Sequence, residues 1–254
     1  MRLRVLLALV AVTQPWVGRG AVTLSRDGDV VLARSGQLGL VFRADSGSWC
    51  KLLVGENLWA SAAAGVEDIA IRIDDASLPL PTEPLRLEGI DAHGTVVTVR
   101  SRLGDLALVQ EFELFPARQR LRRRVRMTWN GAEATRLRGV DMRVPHIDLT
   151  AAGAWLSPGV FPPARYVPAD MPATVSRRFG HSPCPLIVQC DVNRTLVFAS
   201  DELTVNSDRP SVGVTGTPAG LTVDQSFDAQ GFLVPGREQS VGDAWIWALE
   251  GTAD

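Results

Sequence analysis

Apolar and polar residues alternate with a period of two along most of this chain, and a sustained helical period is almost absent. Leu38 to Arg43 (LGLVFR) and Trp49 to Val54 (WCKLLV) are short apolar runs separated by Ala44-Asp45-Ser46-Gly47, which predicts a hairpin. Glu67 to Ile73 (EDIAIRI) alternates, and Thr95 to Leu103 follows a His93-Gly94 turn and is rich in β-branched residues. Asp105 to Phe115 (DLALVQEFELF) and Arg120 to Asn130 (RLRRRVRMTWN) form the clearest pair, joined by Pro116-Ala117-Arg118-Gln119. A turn centred on Ala117 and Arg118 sets Glu113 opposite Arg122 and Glu111 opposite Arg124. Phe112, Leu114, Leu121, Val125, Met127 and Trp129 then gather on the other face, as a half-exposed antiparallel sheet requires. A slip of one residue would break both sets.

Asn130-Gly131 predicts another hairpin turn, and Thr135 to Leu149 a further strand or two. Residues 150–184 hold many of the prolines and no convincing strand; a structureless loop of this length is usually functional or a linker. Strands resume at Leu186 to Cys190 and, after the turn Asp191 to Arg194, at Thr195 to Ser200. Others are expected at Ser211 to Thr215, Gly220 to Phe227, Gln230 to Val234 and Ala244 to Leu249. The pattern predicts an all-β domain: one large antiparallel two-sheet sandwich of roughly fifteen strands with one long Pro-rich loop.

Composition fits that picture. Hydrophobic residues make up 46% of the 254 and charged residues 21%, enough for a packed core. The net charge of −2 argues against a nucleic-acid partner. The basic stretch from Arg118 to Arg126 is then a solvated strand face matched by glutamates, with no aromatic residues interleaved for base stacking. Arg2 and Arg4 precede the apolar run Val5 to Val12, and small residues follow at Gly18, Gly20 and Ala21. Residues 1–21 therefore read as a secretory signal and 22–254 as the mature domain, exported to a periplasm or the exterior. No run approaches the ~20 apolar residues of a membrane helix, so no membrane partner is expected.

Cys50, Cys184 and Cys190 make an odd count for an exported chain. An extended segment would hold Cys184 and Cys190 roughly 20 Å apart, beyond disulfide reach. That leaves a bridge from Cys50 to one of them, or three buried thiols. The spacing suits no zinc motif, and no metal or cofactor is expected.

The order LGLVFRADSGSWCKLL, LALVQEFELFPARQRLRRRVRMTWNG, a strand ending VPHIDL, a long loop, and LIVQCDVNRTLVFASD resembles the galactose-mutarotase-like supersandwich. The likeness is greatest to the supersandwich domains that precede the catalytic domain in large secreted glycoside hydrolases of the α-galactosidase-like clans. It runs from about residue 22 to 250 and includes no catalytic signature. It implies a non-catalytic carbohydrate-binding or accessory domain, with carbohydrate and a glycosidase catalytic domain as partners. The chain has no room for a barrel after its last strand, so it is expected to be a module of a larger enzyme or a free-standing sugar binder. The resemblance also implies an alternative, an aldose mutarotase or epimerase, which opens the sugar ring with a His acid and a Glu base. His93 falls in a turn, His146 follows Pro145 in a strand and reads as structural, and His181 in the long loop is the candidate acid. The late glutamates Glu238 and Glu250 match no base motif, so no catalytic residue carries across. A structural or partner-binding exported domain is the third alternative.

No GxSxG, HExxH or P-loop is present. Asp74-Asp75 and Asp201-Glu202 read as solvated acids at strand ends, and Asn193-Arg194-Thr195 fits a glycosylation sequon in a tight turn. Sugar sites pair aromatic faces with planar hydrogen-bonding groups. The long loop offers Trp155, Phe161, Arg165, Tyr166 (the only tyrosine), Arg178, Phe179 and His181. Trp155, Arg165, Tyr166, Arg178 and His181 are the candidate sugar contacts. Alternatively, the aromatic residues pin the loop to the sheet, or the loop docks a catalytic domain. Trp245 and Trp247, two apart on one face of the last strand, offer a surface for stacking a sugar, although such a pair is more often core and is expected there.

Overall fold

The Arg120–Trp129 strand shows why the chain folds as it does. Its even-numbered arginines face outward, half-buried, while Leu121, Val125 and Met127 are buried. Its partner Leu106–Phe115 alternates buried and half-buried without a break. A 3-10 turn at Pro116–Arg118, closed by Gln119 at φ 44°, sets Arg122 against Glu113 and Arg124 against Glu111, the register that the alternation requires.

The computed structural model describes residues 20–62, 66–73, 85–158, 165–167, 171, 173–179, 185–200, 207–217 and 219–250. The proposed signal lies almost wholly outside them, as do Asp74-Asp75, Phe161, His181, Cys184 and Asp201-Glu202. Nineteen strands are described: β1 (Thr23–Asp27), β2 (Val30–Ser35), β3 (Leu38–Arg43), β4 (Trp49–Val54), β5 (Asn57–Ser61), β6 (Ile69–Ile73), β7 (Arg86–His93), β8 (Val96–Leu103), β9 (Leu106–Phe115), β10 (Arg120–Trp129), β11 (Thr135–Asp148), β12 (Trp155–Pro158), β13 (Val175–Phe179), β14 (Leu186–Asp191), β15 (Arg194–Ser200), β16 (Ser207–Thr217), β17 (Gly220–Leu233), β18 (Glu238–Ser240) and β19 (Ala244–Glu250).

They form an antiparallel sandwich. One layer is a nine-stranded sheet in the order β12-β14-β15-β19-β10-β9-β8-β7, with β18 beside β10. The other layer is split into two five-stranded sheets, β1-β2-β3-β4-β5 and β13-β16-β17-β11-β6. Both pack onto the nine-stranded sheet. Phe42 and Trp49 meet Phe112 edge-on at 5.1 and 5.8 Å, within a core that continues through Phe198, Val214 and Ile246. A second cluster joins Ile69, Ile71, Val140 and Phe227 to Leu108, Val125 and Met127. Each aromatic pair adds about 0.5–1.5 kcal/mol beyond its buried area. The predicted β3–β4 hairpin forms, and Gly47 in its turn has φ 75°, with Val99 and Leu87 2.6 and 2.8 Å from where a Cβ would stand.

Several expectations are corrected. Asn130-Gly131 does not close a hairpin: β10 pairs with β9, β19 and β18, whereas β11 pairs with β17 and β6. Trp129 folds back there, its Nε1 donating to the Glu133 carbonyl at 2.7 Å, and the chain crosses between sheets. Residues 150–184 are not without strands, because β12 and β13 extend the edges of two sheets. Gly220–Phe227 and Gln230–Val234 merge into β17. Cys50 and Cys190 are separate buried thiols with no bridge between them, and burial pushes the Cys190 thiol up to about 12. Trp245 and Trp247 are not in the core. They stand half-buried on the outer face of the nine-stranded sheet, stacked at 6.0 Å beside Phe115, with the Arg120 guanidinium 4.8 Å from the Trp245 ring.

Candidate functional site

A cleft of about 420 Å³ opens where the two five-stranded sheets meet, lined by Trp49, Ser61, Glu67, Asp68, Arg143 and His146 among others. Two of its lining residues, Asp68 and Arg143, are held from behind by Arg123, whose strand position falls on the inner, apolar face. This arginine is 1% exposed and reaches from β10 across the sandwich. Its Nη2 donates to the Asp68 carboxylate at 2.7 Å and the Asp68 carbonyl at 2.9 Å, its Nη1 to the Arg143 carbonyl at 3.0 Å, and its Nε to Gln110 Oε1 at 3.1 Å. The guanidinium also lies 5.2 Å from the Phe112 ring. A buried cation needs such complete pairing, since an unpaired charge there costs several kcal/mol. Burial drives both members of the pair toward their neutral forms. The Asp68 carboxyl is held above the ordinary aspartate range and the guanidinium below its usual value, each opposed by the other's charge.

Glu67, next along the chain, is 8% exposed. Its Oε2 accepts a hydrogen bond from Ser48 on the β3–β4 connection, while its Oε1 has no hydrogen-bond partner. Burial raises its pKa above the usual glutamate value. The Ser48 hydrogen bond opposes that shift, Asp68 adds to it, and Arg43 and Asp45 act with opposite signs. Buried carboxylate oxygens are ordinarily satisfied, so an unmet acceptor in a cleft wall calls for an explanation.

β11 supplies the opposite wall. Arg143 Nε pairs with Asp224 on β17 at 3.0 Å, and the Arg143 backbone N–H donates to the Asp68 carbonyl at 2.8 Å. The β11–β17 register shifts between Val144 and Ile147, so Pro145 and His146 together oppose Thr222. Such a bulge re-aims side chains. Here it leaves His146 exposed at the cleft lip, lying directly over Gly220, where a Cβ would collide with the imidazole.

The sequence-predicted residues gather elsewhere in part. Trp155 lies on the edge strand β12, half-buried, with the Arg165 guanidinium 4.4 Å over its ring. Tyr166 is bridged to Leu156 through both backbone hydrogen bonds, at 2.9 and 2.8 Å, and packs against the main core. These three come together, and none lines the seam cleft. Arg178 is in β13, in register with Gly213, which is in turn opposite Asp224. His181 lies outside the described residues. His146, structural by the sequence pattern, is a cleft residue, and Glu67, which that pattern puts in a strand, lies just before β6 in the cleft wall. The available signal was the Glu-Asp pair opening the otherwise apolar run EDIAIRI. Among the described residues no group of three His, Cys, Asp or Glu is placed to hold a metal ion.

The fold is the galactose-mutarotase-like supersandwich, as the sequence resemblance implied. Among solved structures, it is similar to the GH36 α-galactosidase AgaB of Geobacillus stearothermophilus, with 12% identity and a TM-score of 0.60 over 91% of this chain and 41% of that one. It is similar to a putative aldose 1-epimerase of Escherichia coli, with 10% identity and a TM-score of 0.59 over 90% and 99% of the two chains. The galactosidase domain of the α-galactosidase-sucrose kinase AgaSK matches at 9% identity and a TM-score of 0.61, over 91% and 42%. The chain thus spans about two fifths of the galactosidases' length and nearly all of the epimerase's. No known family profile and no curated protein matches the sequence.

Proposed function

We propose that this chain is an exported, carbohydrate-binding β-sandwich of the accessory type that works with glycoside hydrolysis, and that the seam cleft holds the sugar. The observation that carries this reading is the buried Glu67 Oε1, unpartnered in the wall of a cleft that also presents Arg143 and His146. Sugar hydroxyls are donors and acceptors at once, and so can satisfy such a mixed set of polar groups. The fold's occurrence in α-galactosidases supports the class. Trp155, Arg165, Tyr166, Arg178 and His181 belong to this proposal as further sugar contacts apart from the cleft, and a glycosidase catalytic domain as its partner. Calorimetric titration with hexoses and oligosaccharides tests it: saturable binding that Arg143→Ala weakens is expected, and no heat with any sugar refutes it. Export is tested by sequencing the N-terminus of the native protein, which should begin near Val22; a start at Met1 refutes it.

One observation favours the alternative, an aldose mutarotase or epimerase. His146 and Glu67 line the same cleft, so an acid and a base face one ligand space. In that chemistry the carboxylate removes the anomeric hydroxyl proton while the imidazolium protonates the ring oxygen, and the ring opens, rotates and recloses. Polarimetry of a pure hexose anomer decides it: catalysed mutarotation abolished by Glu67→Gln supports this reading, and the uncatalysed rate refutes it.

A further inference from the structure

Charge pairing around the cleft singles out one kind of sugar. Arg123 is consumed by Asp68 at 2.7 Å and Arg143 by Asp224 at 3.0 Å. Arg43 and Asp45 act on Glu67 with opposite signs. Glu67 is left as the lining carboxylate without a salt bridge among those described, and its Oε1, like Asp68 Oδ1 beside it, is a buried acceptor without a donor. Arg143, the arginine in the lining, already gives its Nε to Asp224, so a second carboxylate or phosphate would share that cation. An anionic sugar would also meet Glu67, at a cost that low-dielectric surroundings enlarge.

On these grounds we infer that the cleft selects an amino sugar with a free, protonated amine, the ammonium donating to Glu67 Oε1 while Arg143, His146 and Thr222 face its hydroxyls. This rests on the carbohydrate-binding reading above and narrows it. An ammonium satisfies the orphan oxygen and supplies the missing charge, whereas a neutral hydroxyl does only the first. Charge-assisted hydrogen bonds are roughly twice as strong as neutral ones. The pairing also explains why a carboxylate is kept where an amide would be easier to bury.

The test is isothermal titration of the full chain with glucosamine and galactosamine, set against glucose, galactose, N-acetylglucosamine, glucuronate and ethanolamine. The amino sugars should bind about tenfold more tightly than the parent hexoses, the gain expected from one charge-assisted bond. N-Acetylation should remove that gain, glucuronate should bind most weakly, and ethanolamine should give no saturable signal. Glu67→Gln should abolish the preference for the amino sugar, read as the ratio of its affinity to that of its parent hexose within the variant. Hexoses binding as well as their amino derivatives would overturn this inference and leave the carbohydrate reading intact. Silence with every sugar would overturn both. Ethanolamine binding as well as glucosamine would reduce the site to a simple cation contact and overturn the inference. The comparison among ligands needs only the unaltered protein, so it stands even if the variant does not fold.

Discussion

Arg123 and Asp68 form a salt bridge of 2.7 Å in which each side chain is 1% exposed, joining the nine-stranded sheet to the residue just before β6 in the opposite layer. Removing one member strands the other's charge. Arg123→Met or Asp68→Leu alone should cost about 3–5 kcal/mol. The double variant should recover only part of this, because the Arg143 carbonyl and Gln110 also lose their donor. Urea unfolding of the two single variants and the double variant checks this as a mutant cycle. A double variant as unstable as the sum of the singles would mean the two residues act independently.

Glu67 sets the sign of a pH dependence. Burial raises its pKa in the folded chain, so the native carboxyl holds its proton more tightly than an unfolded glutamate, which titrates near about 4.3. The stabilising contribution is whole below that unfolded value and is lost as pH rises through the raised native pKa. Glu67→Gln removes the titration and keeps an acceptor for Ser48. The variant should therefore gain stability over the native protein as pH increases, and denaturant midpoints of both proteins measured from acid to neutral pH should diverge in that direction. Midpoints that stay parallel would remove Glu67 as the titrating group.

Which parts of this structure are legible in the sequence follows from the range of the interactions. The β9–β10 register is legible because outward charges and inward apolar residues repeat every second position, so the pattern contains its own register. Even there the ion pairs differ from simple opposition: Arg124 turns to Asp243 at 2.7 Å, and Arg126 reaches Glu111 and Glu238 at 2.7 and 3.0 Å. Those choices depend on Asp243 and Glu238, brought in more than a hundred residues later. The Asn130-Gly131 turn is misleading because local turn chemistry cannot tell a hairpin from a crossing between sheets. The site is illegible for the same reason. Glu67 lies just before β6, His146 in β11 and Arg123 in β10 of the opposite layer, and nothing near Arg123 in sequence distinguishes it from the outward arginines except its odd position in the alternation.

Gly220 is where the His146 imidazole rests, and a methyl group there would occupy the ring's place. His146 is exposed and can swing away, so Gly220→Ala should cost little stability, about 1 kcal/mol or less. Its effect should fall on the cleft. Sugar affinity, or mutarotation if the chain is an epimerase, should drop as it does in His146→Ala, and the two changes together should be no worse than either alone. Additive losses would mean that Gly220 acts through something other than the histidine.

Arg126 offers the opposite case to Arg123. It joins Glu111 and Glu238 on the outer sheet face, with its side chain 32% exposed and those of its partners 28% and 51%. Solvent screens such pairs, and the long side chains lose rotamer freedom in making them. Arg126→Ala should shift stability by less than about 1 kcal/mol, and the shift should shrink further at high salt. The contrast with Arg123→Met, on the same strand and only three residues away, is the useful measurement. Salt titration of both variants separates a solvated ion pair from a buried one. A salt-insensitive loss of several kcal/mol at Arg126 would mean that the outer face is covered in the native protein, by a partner domain or a second copy.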